Sequence, residues 1–131
     1  MRAFFNQLLT KSPLCLCCGY QKTHKQGFCL GCYHDLPHIK TPCLQCGLPL
    51  TANMPCTCQA EDWPFAACLS AFAYQFPINE LLFQYKSQAR LALCNSFAQT
   101  LIAQVKKQQY PLPQVLMPVP LHPNKLKQRG F

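Results

Sequence analysis

The chain has 131 residues, of which 50% are hydrophobic, and it carries a formal net charge of +8. This length allows one ordinary domain or two small ones, and the apolar fraction excludes an intrinsically disordered chain. No apolar run approaches the roughly 20 residues that a membrane-spanning helix needs.

The first segment, from Phe4 to Leu9, can form one or two helical turns with Phe5, Leu8 and Leu9 on one side. The apolar run is too short for an export signal, and no small-residue cleavage site follows it. We therefore expect this segment to pack on the domain that follows rather than to anchor a membrane. Without an export signal, a chain so rich in thiols is expected in the reducing cytoplasm and not as a secreted disulfide framework.

Closely spaced cysteine pairs dominate the first half of the chain. They are Cys15 with Cys18, Cys29 with Cys32, Cys43 with Cys46, and Cys56 with Cys58. Two cysteines at this spacing bind one face of a tetrahedral ion, and a second pair completes the site. A Cys-Leu-x-Cys-Gly unit occurs twice, 28 residues apart, which indicates a repeated structure. The pattern predicts a double zinc ribbon in residues 1–62, with two structural Zn²⁺ ions and no open coordination position.

Two other arrangements of these cysteines remain open. An iron–sulfur cluster also uses four thiolates, although regular pairs ten residues apart suit zinc better. An interleaved arrangement would join the first pair to the third. Because Tyr33 to Pro42 lies between the second and third pairs, sequential sites are favoured over interleaved ones.

Several cysteines depart from the pattern. Cys17 offers a third thiol beside the first pair, and we interpret it as a residue that does not bind metal. The spacing of Cys56 and Cys58 is one residue shorter than that of a standard pair. Cys68 and Cys94 lie in apolar surroundings and are predicted to be small core residues, since unliganded cysteine is often buried.

The positive charge is concentrated in the second half of the chain. Eight thiolates and two Zn²⁺ ions would lower the net charge by four, to about +4. Residues 63–131 carry seven basic side chains and a single acid, Glu80. Such unbalanced charge attracts polyanions, for example nucleic acid or phosphate esters. The alternative explanation is general solubility.

The sequence pattern changes near Asp62, where the cysteine pairs end and periodic segments begin. Ala67 to Tyr74 is a short apolar run that ends in aromatic residues and predicts a strand. Pro77 suits the first turn of a helix because its missing N–H would be unpaired there in any case. The apolar face of this predicted helix consists of Ile78, Leu81, Leu82 and Tyr85.

A second helix and a second strand are predicted to follow. The apolar residues of this helix recur at helical spacing and are Cys94, Phe97, Ala98, Leu101, Ile102 and Val105. Lys106 and Lys107 suit its last turn, because cations there complement the helix dipole. Val115 to Met117 is then predicted to be a short buried strand. Strand, two helices and strand together predict the beginning of an α/β domain in residues 63–131.

A basic segment follows the second predicted strand. Lys125, Lys127 and Arg129 come after the proline-rich loop Pro118 to Pro123. In α/β sheets, ligands bind at the carboxyl ends of strands, so we predict that these three side chains contact phosphates. A rigid turn followed by a solvated helix explains the spacing equally well. Stacking aromatics, which single-strand binders use, are sparse, since the stretch Lys106 to Arg129 contains only Tyr110 and Phe131 follows at its end.

Several of these motifs together resemble the N-terminal part of the ComF family. They are the paired cysteines, Cys46-Gly-Leu-Pro49, Phe83-Gln-Tyr-Lys86, and Pro118-Val-Pro-Leu-His122 followed by Arg129-Gly-Phe131. The resemblance covers nearly the whole chain. It implies a zinc ribbon followed by a type I phosphoribosyltransferase-like, Rossmann-like domain. It also places Pro118 to Pro123 at a pyrophosphate-contacting loop and adds Lys86 to the candidate phosphate-binding residues.

The resemblance implies a cytoplasmic competence factor that handles incoming single-stranded DNA during natural transformation, with other DNA-uptake proteins as partners. The alternative is a phosphoribosyltransferase whose zinc ribbon is structural and whose full-length form uses phosphoribosyl pyrophosphate and Mg²⁺. Family members hold the ribose with an acidic pair and a Thr/Gly-rich loop. Neither occurs after Glu80 in this sequence. We therefore expect the chain to be a fragment or shortened form that is not catalytic by itself.

Overall fold

A computed structural model describes residues 14–50, 56, 58, 64–109 and 111–130. Its helices are α1 (Leu30–Asp35), α2 (Ile78–Ser87), α3 (Ala92–Gln108) and α4 (Pro123–Arg129). In these residues the β-structure consists of isolated antiparallel bridges, which join Leu14 to Lys22, Lys25 to Phe28, His38 to Phe72, and Pro42 to Pro49. The helical turns predicted from Phe4 to Leu9 lie outside the described residues.

The repeated Cys-Leu-x-Cys-Gly unit forms the same tight turn twice. In the first copy, the Gly19 N–H donates to the Cys15 carbonyl at 2.9 Å. In the second copy, the Gly47 N–H donates to the Cys43 carbonyl at 2.8 Å. The repetition predicted from the sequence is therefore present in the backbone.

The first predicted helix is present as α2. Pro77 directly precedes it, and Ile78 and Leu81 are each 3% exposed. Leu82 and Tyr85 are partly buried against the same core. The hydrophobic periodicity thus predicted both the position of α2 and the face that it buries.

The second predicted helix is present as α3, but its most buried face is different from the predicted apolar one. Leu101 and Ile102 are 44% and 53% exposed. The buried residues are Leu93, Ser96, Thr100 and Gln104. The polar members of this set recur every four residues and therefore form one row along the helix. Two members of this row donate hydrogen bonds to the cysteine-rich segment, Thr100 to the Gln26 side-chain oxygen and Gln104 to the Ile39 backbone carbonyl.

One hydrophobic core spans the two predicted domains. Its buried members are Cys15, Leu16, Phe28, Cys29, Leu36, Ile78, Leu81 and Leu93. Phe28 from the ribbon and Leu93 from α3 have no measurable exposure. The predicted boundary after residue 62 separates two kinds of sequence, and the core draws side chains from both of them.

The two predicted strands differ in how they pack: the first lies against the ribbon, whereas the second is exposed. Residues in Ala67–Tyr74 lie along the ribbon, where the Ala73 N–H donates to the Pro37 carbonyl at 2.9 Å. This pairing amounts to a single bridge. The prediction of a buried strand at Val115–Met117 is wrong, since these side chains are 78% to 89% exposed. No described segment pairs with this one, and the described residues therefore do not support the predicted α/β sheet.

Candidate metal centres and a cationic pocket

The structure gathers the eight paired cysteines into two groups of four. The first group is Cys15, Cys18, Cys29 and Cys32, and the second is Cys43, Cys46, Cys56 and Cys58. Within each group all four Sγ atoms lie within 4.8 Å of one another. Each group thus combines consecutive pairs, which is the sequential arrangement rather than the interleaved one.

The sulfur separations suit a single tetrahedral ion. Zn–S bonds of about 2.3 Å place ligand sulfurs about 3.8 Å apart. The Sγ atoms of Cys18 and Cys29 are 3.9 Å apart, and those of Cys43 and Cys58 are 3.7 Å apart. A polynuclear cluster spreads its thiolates farther, because iron and sulfide ions lie between them. Four sulfur donors at these distances could hold Zn²⁺ in either group.

The two groups differ at their second pair. In the first group, Cys29 caps α1 and Cys32 lies in its first turn, so a helix fixes their spacing. In the second group, the shorter Cys56–Cys58 spacing brings these two Sγ atoms to 2.9 Å, and the Sγ atoms of Cys46 and Cys56 are 3.3 Å apart. Both distances are shorter than tetrahedral coordination requires, so a metal ion in the second group would have to spread these sulfurs.

A glycine follows the first cysteine pair of each group and allows the chain to turn beneath the sulfurs. Gly19 and Gly47 have φ values of +72° and +73°. This left-handed conformation is unfavourable for residues with a Cβ atom. The N–H of each glycine donates to the carbonyl of the first cysteine, at 2.9 Å for Cys15 and 2.8 Å for Cys43. The glycines thus hold both pairs in the same shape.

The electrostatics of each group favour a thiolate. Backbone N–H groups of Gln21 and Tyr20 lower the pKa of Cys18 to about 6. Backbone N–H groups of Cys46 and Gln45 lower the pKa of Cys43 to about 6 in the same way. Hydrogen bonds to the charged form stabilise it, which explains the direction of both shifts.

Another thiol in each group has the opposite shift. Burial raises the pKa of Cys32, and a hydrogen bond with Cys56 raises that of Cys58. Thiols this close cannot all ionise without a neutralising cation. A divalent cation would supply that neutralisation, since metal binding releases the remaining protons.

The three remaining cysteines lie outside both groups. Cys17 is half-buried, and this burial raises its pKa, which favours a protonated thiol. Cys68 is also half-buried, close to Gly47. Cys94 is exposed on α3, so the prediction that it belongs to the core is wrong. The reason is the orientation of α3, which turns its polar row inward.

Three of the four candidate phosphate-binding residues line one small pocket. Lys86 comes from the last turn of α2, and Lys125 and Arg129 come from α4. Side chains four residues apart share one face of a helix, so Lys125 and Arg129 project together. Lys127 lies between them in sequence and does not line the pocket. The other lining residues, Ser87 and Gln128, are uncharged polar residues, and no described lining residue is acidic.

Local capping fixes the start and end of α4. Pro123 occupies its first turn, and the His122 Nδ1 accepts a hydrogen bond of 3.2 Å from the Asn124 N–H. Gly130 ends the helix with φ of +79°, and its N–H donates to the Leu126 carbonyl. These caps fix the helical segment that carries Lys125 and Arg129.

An apolar groove of about 480 Å³ lies beside this pocket. Residues of α2, α3 and the segment before them line it, including Phe72, Tyr74, Tyr85 and Phe97. Tyr85, which lines the groove, directly precedes Lys86, which lines the pocket. Burial raises the pKa of Tyr85, and a hydrogen bond with Cys94 raises it further, whereas the positive charge of Arg129 opposes the shift. The groove supplies aromatic side chains that the sequence interpretation, confined to Lys106–Arg129, did not consider.

None of the helices in the described part of the chain is both long and apolar enough to cross a membrane.

The described residues contain two four-cysteine sites of zinc-ribbon type, a helical segment packed on them and a cationic pocket.

Comparison with known proteins relates this chain to a protein concerned with DNA. It is 28% identical over 131 residues to DNA utilization protein YhgH of Escherichia coli (strain K12), and equally so to that of Shigella flexneri. Each match covers 95% of this chain and 58% of the relative. The chain thus spans somewhat more than half the length of these relatives. No protein-family model and no solved structure matches it.

Proposed function

We propose that the protein handles DNA in an uptake or utilisation pathway and binds single-stranded DNA through its cationic pocket. The observation that carries this proposal is the convergence of Lys86, Lys125 and Arg129 on one pocket with no acid among its described lining residues. The similarity to a DNA utilization protein supports the choice of DNA as the polyanion. The resemblance of the sequence to ComF competence proteins agrees with this choice.

The zinc ribbon in this proposal is a scaffold. Each cysteine group supplies four ligands, so a bound ion has no open position for a substrate. Ile78 and Leu81 of α2 pack in the same core as Cys15 and Cys29. A metal ion that fixes these cysteines therefore also fixes the helix that carries Lys86.

The proposed interaction is mainly electrostatic. Each cation that neutralises a DNA phosphate releases a condensed counterion, and affinity then falls with rising salt. Three contacts to a single strand predict a slope of about −2 in log K against log salt concentration, at about −0.7 per contact. Loss of the three cations should remove most of this slope.

The test compares two triple variants with equal changes in charge. One is Lys86→Ala with Lys125→Ala and Arg129→Ala. The control is Lys22→Ala with Lys40→Ala and Lys106→Ala, which removes three lysines that do not line the pocket. Fluorescence anisotropy with a labelled single strand, repeated over a range of salt concentrations, gives the affinity and the slope for each protein.

We expect the pocket variant to lose affinity and slope, and the control to retain most of both. Equal losses in the two variants would contradict a localised site and leave only general attraction of a basic protein for DNA. Undetectable binding by the unmodified protein would contradict the proposed function itself. Zinc content and circular dichroism, measured in parallel, establish that all three proteins are folded.

From the resemblance to the ComF family we further propose that residues 63–131 form the beginning of a phosphoribosyltransferase-like domain. We also propose that the protein acts in the cytoplasm with other DNA-uptake proteins as partners. The helices α2 and α3 support the predicted order of elements, whereas the isolated bridges among the described residues do not support the predicted sheet.

The second candidate function is that of a phosphoribosyltransferase with Mg²⁺. A pocket with Lys86, Lys125 and Arg129 would accept a phosphate of phosphoribosyl pyrophosphate as readily as one of DNA. Calorimetric titration with phosphoribosyl pyrophosphate and Mg²⁺, beside titration with a single strand, separates the two functions. Tighter binding of the small ligand would favour the enzyme.

A further inference from the structure

We propose that the cationic pocket recognises a terminal phosphate monoester of a DNA single strand in preference to the diesters within it. This inference rests on the proposed function and specifies the ligand of the same site. It is carried by the size of the pocket, the number of its cations and its position beside the apolar groove.

The size of the pocket selects a single phosphate group. Its volume is about 80 Å³. A pocket for an organic ligand usually exceeds about 300 Å³, so this pocket is small for a nucleobase and suits a single phosphate group. A chain end can insert its phosphate from one side, while an internal diester would need space for sugars on both sides.

The charge of the pocket also favours a monoester. A diester has a single negative charge and two free oxygens, whereas a monoester has about −1.5 to −2 and three acceptor oxygens. Lys86, Lys125 and Arg129 supply three cations from two helices, which matches the greater charge and the third oxygen. Hydrogen bonds between ionised partners are stronger than neutral ones, so each added oxygen contact contributes substantially.

The neighbouring groove favours a strand end over a free phosphate ion. Tyr85 lines the groove and directly precedes Lys86, which lines the pocket. A nucleotide whose phosphate occupies the pocket would bring its sugar and base to this apolar wall. Nucleobases stack on aromatic side chains with little dependence on sequence. Phosphate in the pocket and base in the groove together define a terminal nucleotide.

The experiment compares single strands of one sequence that differ only at their ends. One strand carries a 5′-phosphate, one a 3′-phosphate and one no terminal phosphate, and inorganic phosphate serves as a competitor. Affinities are measured by anisotropy with the zinc-loaded full chain. We expect about tenfold tighter binding of a phosphorylated end, equivalent to one charge-assisted hydrogen bond. Millimolar inorganic phosphate should reduce this preference.

Lys86→Gln and Arg129→Gln remove one pocket cation each, and Lys127→Gln is the matched control. Lys127 lies on the same helix as Arg129 but outside the pocket, so its loss changes the net charge equally. We expect the ratio of the affinities for phosphorylated and unphosphorylated strands to approach one in the two pocket variants. In the control this ratio should stay at about the value of the unmodified protein.

The outcomes separate this inference from the proposed function. Binding of all strands with equal affinity, still sensitive to Lys86→Gln, would overturn the terminal preference and leave the DNA-binding proposal intact. Binding of inorganic phosphate without preference for any strand end would assign the pocket to a small anion and overturn the inference. Absence of strand binding would overturn both. A preference that Lys127→Gln abolishes as fully as Arg129→Gln would also contradict a role for this pocket.

Discussion

The side-chain amide of Gln104 in α3 donates a hydrogen bond of 2.8 Å to the backbone carbonyl of Ile39, which lies 65 residues earlier in the ribbon. Both residues are buried, at 9% and 4% exposure. One turn earlier on the same face, the Thr100 hydroxyl donates to the side-chain oxygen of Gln26 at 2.7 Å. Polar contacts as well as apolar ones therefore attach the helix to the ribbon.

Substitution of Gln104 tests this attachment. Gln104→Leu leaves the buried Ile39 carbonyl without its partner, and we expect the free energy of unfolding to fall by about 1–3 kcal/mol. Gln99→Leu is the control, because Gln99 is exposed on the same helix and its side chain bonds to Asn95 one turn away. Urea unfolding of the zinc-loaded proteins measures both changes. Equal destabilisation by the two substitutions would contradict the role given to Gln104.

The cysteines of the first group provide a test of metal binding. The unmodified chain should bind two zinc ions, one for each group. Cys18→Ser should lose the first ion, because it removes one of four ligands. Cys17→Ser should retain both, because Cys17 lies outside the group although it is adjacent in sequence. Elemental analysis of purified protein gives the stoichiometry, and equal losses in the two variants would show that the ligands are assigned incorrectly.

Chelation should also affect the fold. Cys15 and Cys29 belong to the shared hydrophobic core, so the loss of their metal removes an anchor of that core. Small metal domains commonly unfold when the metal is removed. We expect a chelator to lower the midpoint of thermal unfolding. An unchanged midpoint, with zinc removal verified, would show that the core does not depend on the ion.

Gly27 and Gly19 form a matched pair for testing the packing of α3. Both have positive φ, +84° and +72°, so alanine imposes similar backbone strain at each. An added Cβ at Gly27 would lie 2.5 Å from the Ser96 Oγ and 2.8 Å from the Leu16 Cδ1, whereas Gly19 has nothing within 4 Å. Overpacking of a buried contact costs about 1–3 kcal/mol. Gly27→Ala should therefore destabilise more than Gly19→Ala by about this amount, as measured by urea unfolding.

A similar fall in the free energy of unfolding in both glycine variants would indicate backbone strain alone. A larger loss for Gly19→Ala would contradict the close approach of α3 to the ribbon at Gly27. Zinc content must be measured beside stability, since Gly19 follows a predicted ligand. A loss of zinc from Gly19→Ala would place its effect on the metal turn rather than on helix packing.

The cysteine pairing was accessible from the sequence because it depends on local spacing. Cys15 and Cys18 are close through one turn of backbone, and the repeated Cys-Leu-x-Cys-Gly unit makes the same turn at Cys43. The position of α2 was accessible for a related reason, since Ile78 and Leu81 face a core that is apolar. A sequence pattern predicts well the turns that depend on neighbouring residues and the helix faces that pack on a wholly apolar core.

The buried face of α3 was not accessible in the same way. Hydrophobic periodicity identified Leu101 and Ile102, but the ribbon beneath the helix presents oxygen acceptors such as the Ile39 carbonyl. The row of Ser96, Thr100 and Gln104 was the available signal, because polar residues at four-residue spacing form a stripe. Likewise, Arg129 lines the pocket and Lys127 does not, because the two residues project from different faces of α4. The order of basic residues in the sequence did not distinguish them.

His38 gives the fold a predicted dependence on pH. Its ring lies between those of Tyr33 and Phe72, with centroid distances of 4.6 Å and 4.9 Å. The Nε2 atom is 2.9 Å from the Tyr33 carbonyl, so the neutral ring donates a hydrogen bond there. Burial lowers the pKa of His38, the hydrogen bond opposes this shift, and the charge of Lys25 adds to it.

The direction of the pH effect follows from the lowered pKa. The unfolded chain has the ordinary histidine pKa of about 6.5 and binds a proton before the folded chain does. The contribution of His38 is therefore complete above about pH 6.5 and is lost as the pH falls towards the lower folded value. We expect the free energy of unfolding to decrease with acidification over this range, more steeply in the unmodified protein than in His38→Gln.

The comparison between these two proteins isolates the histidine from the metal sites. Protonation of the cysteine ligands also destabilises the fold at low pH, but it affects both proteins alike. The measurement is urea unfolding at several pH values between about 5 and 8. His34→Gln is the control, since His34 is exposed. A slope that stays unchanged in His38→Gln, or that changes equally in His34→Gln, would show that the aromatic cluster around His38 does not control stability in acid.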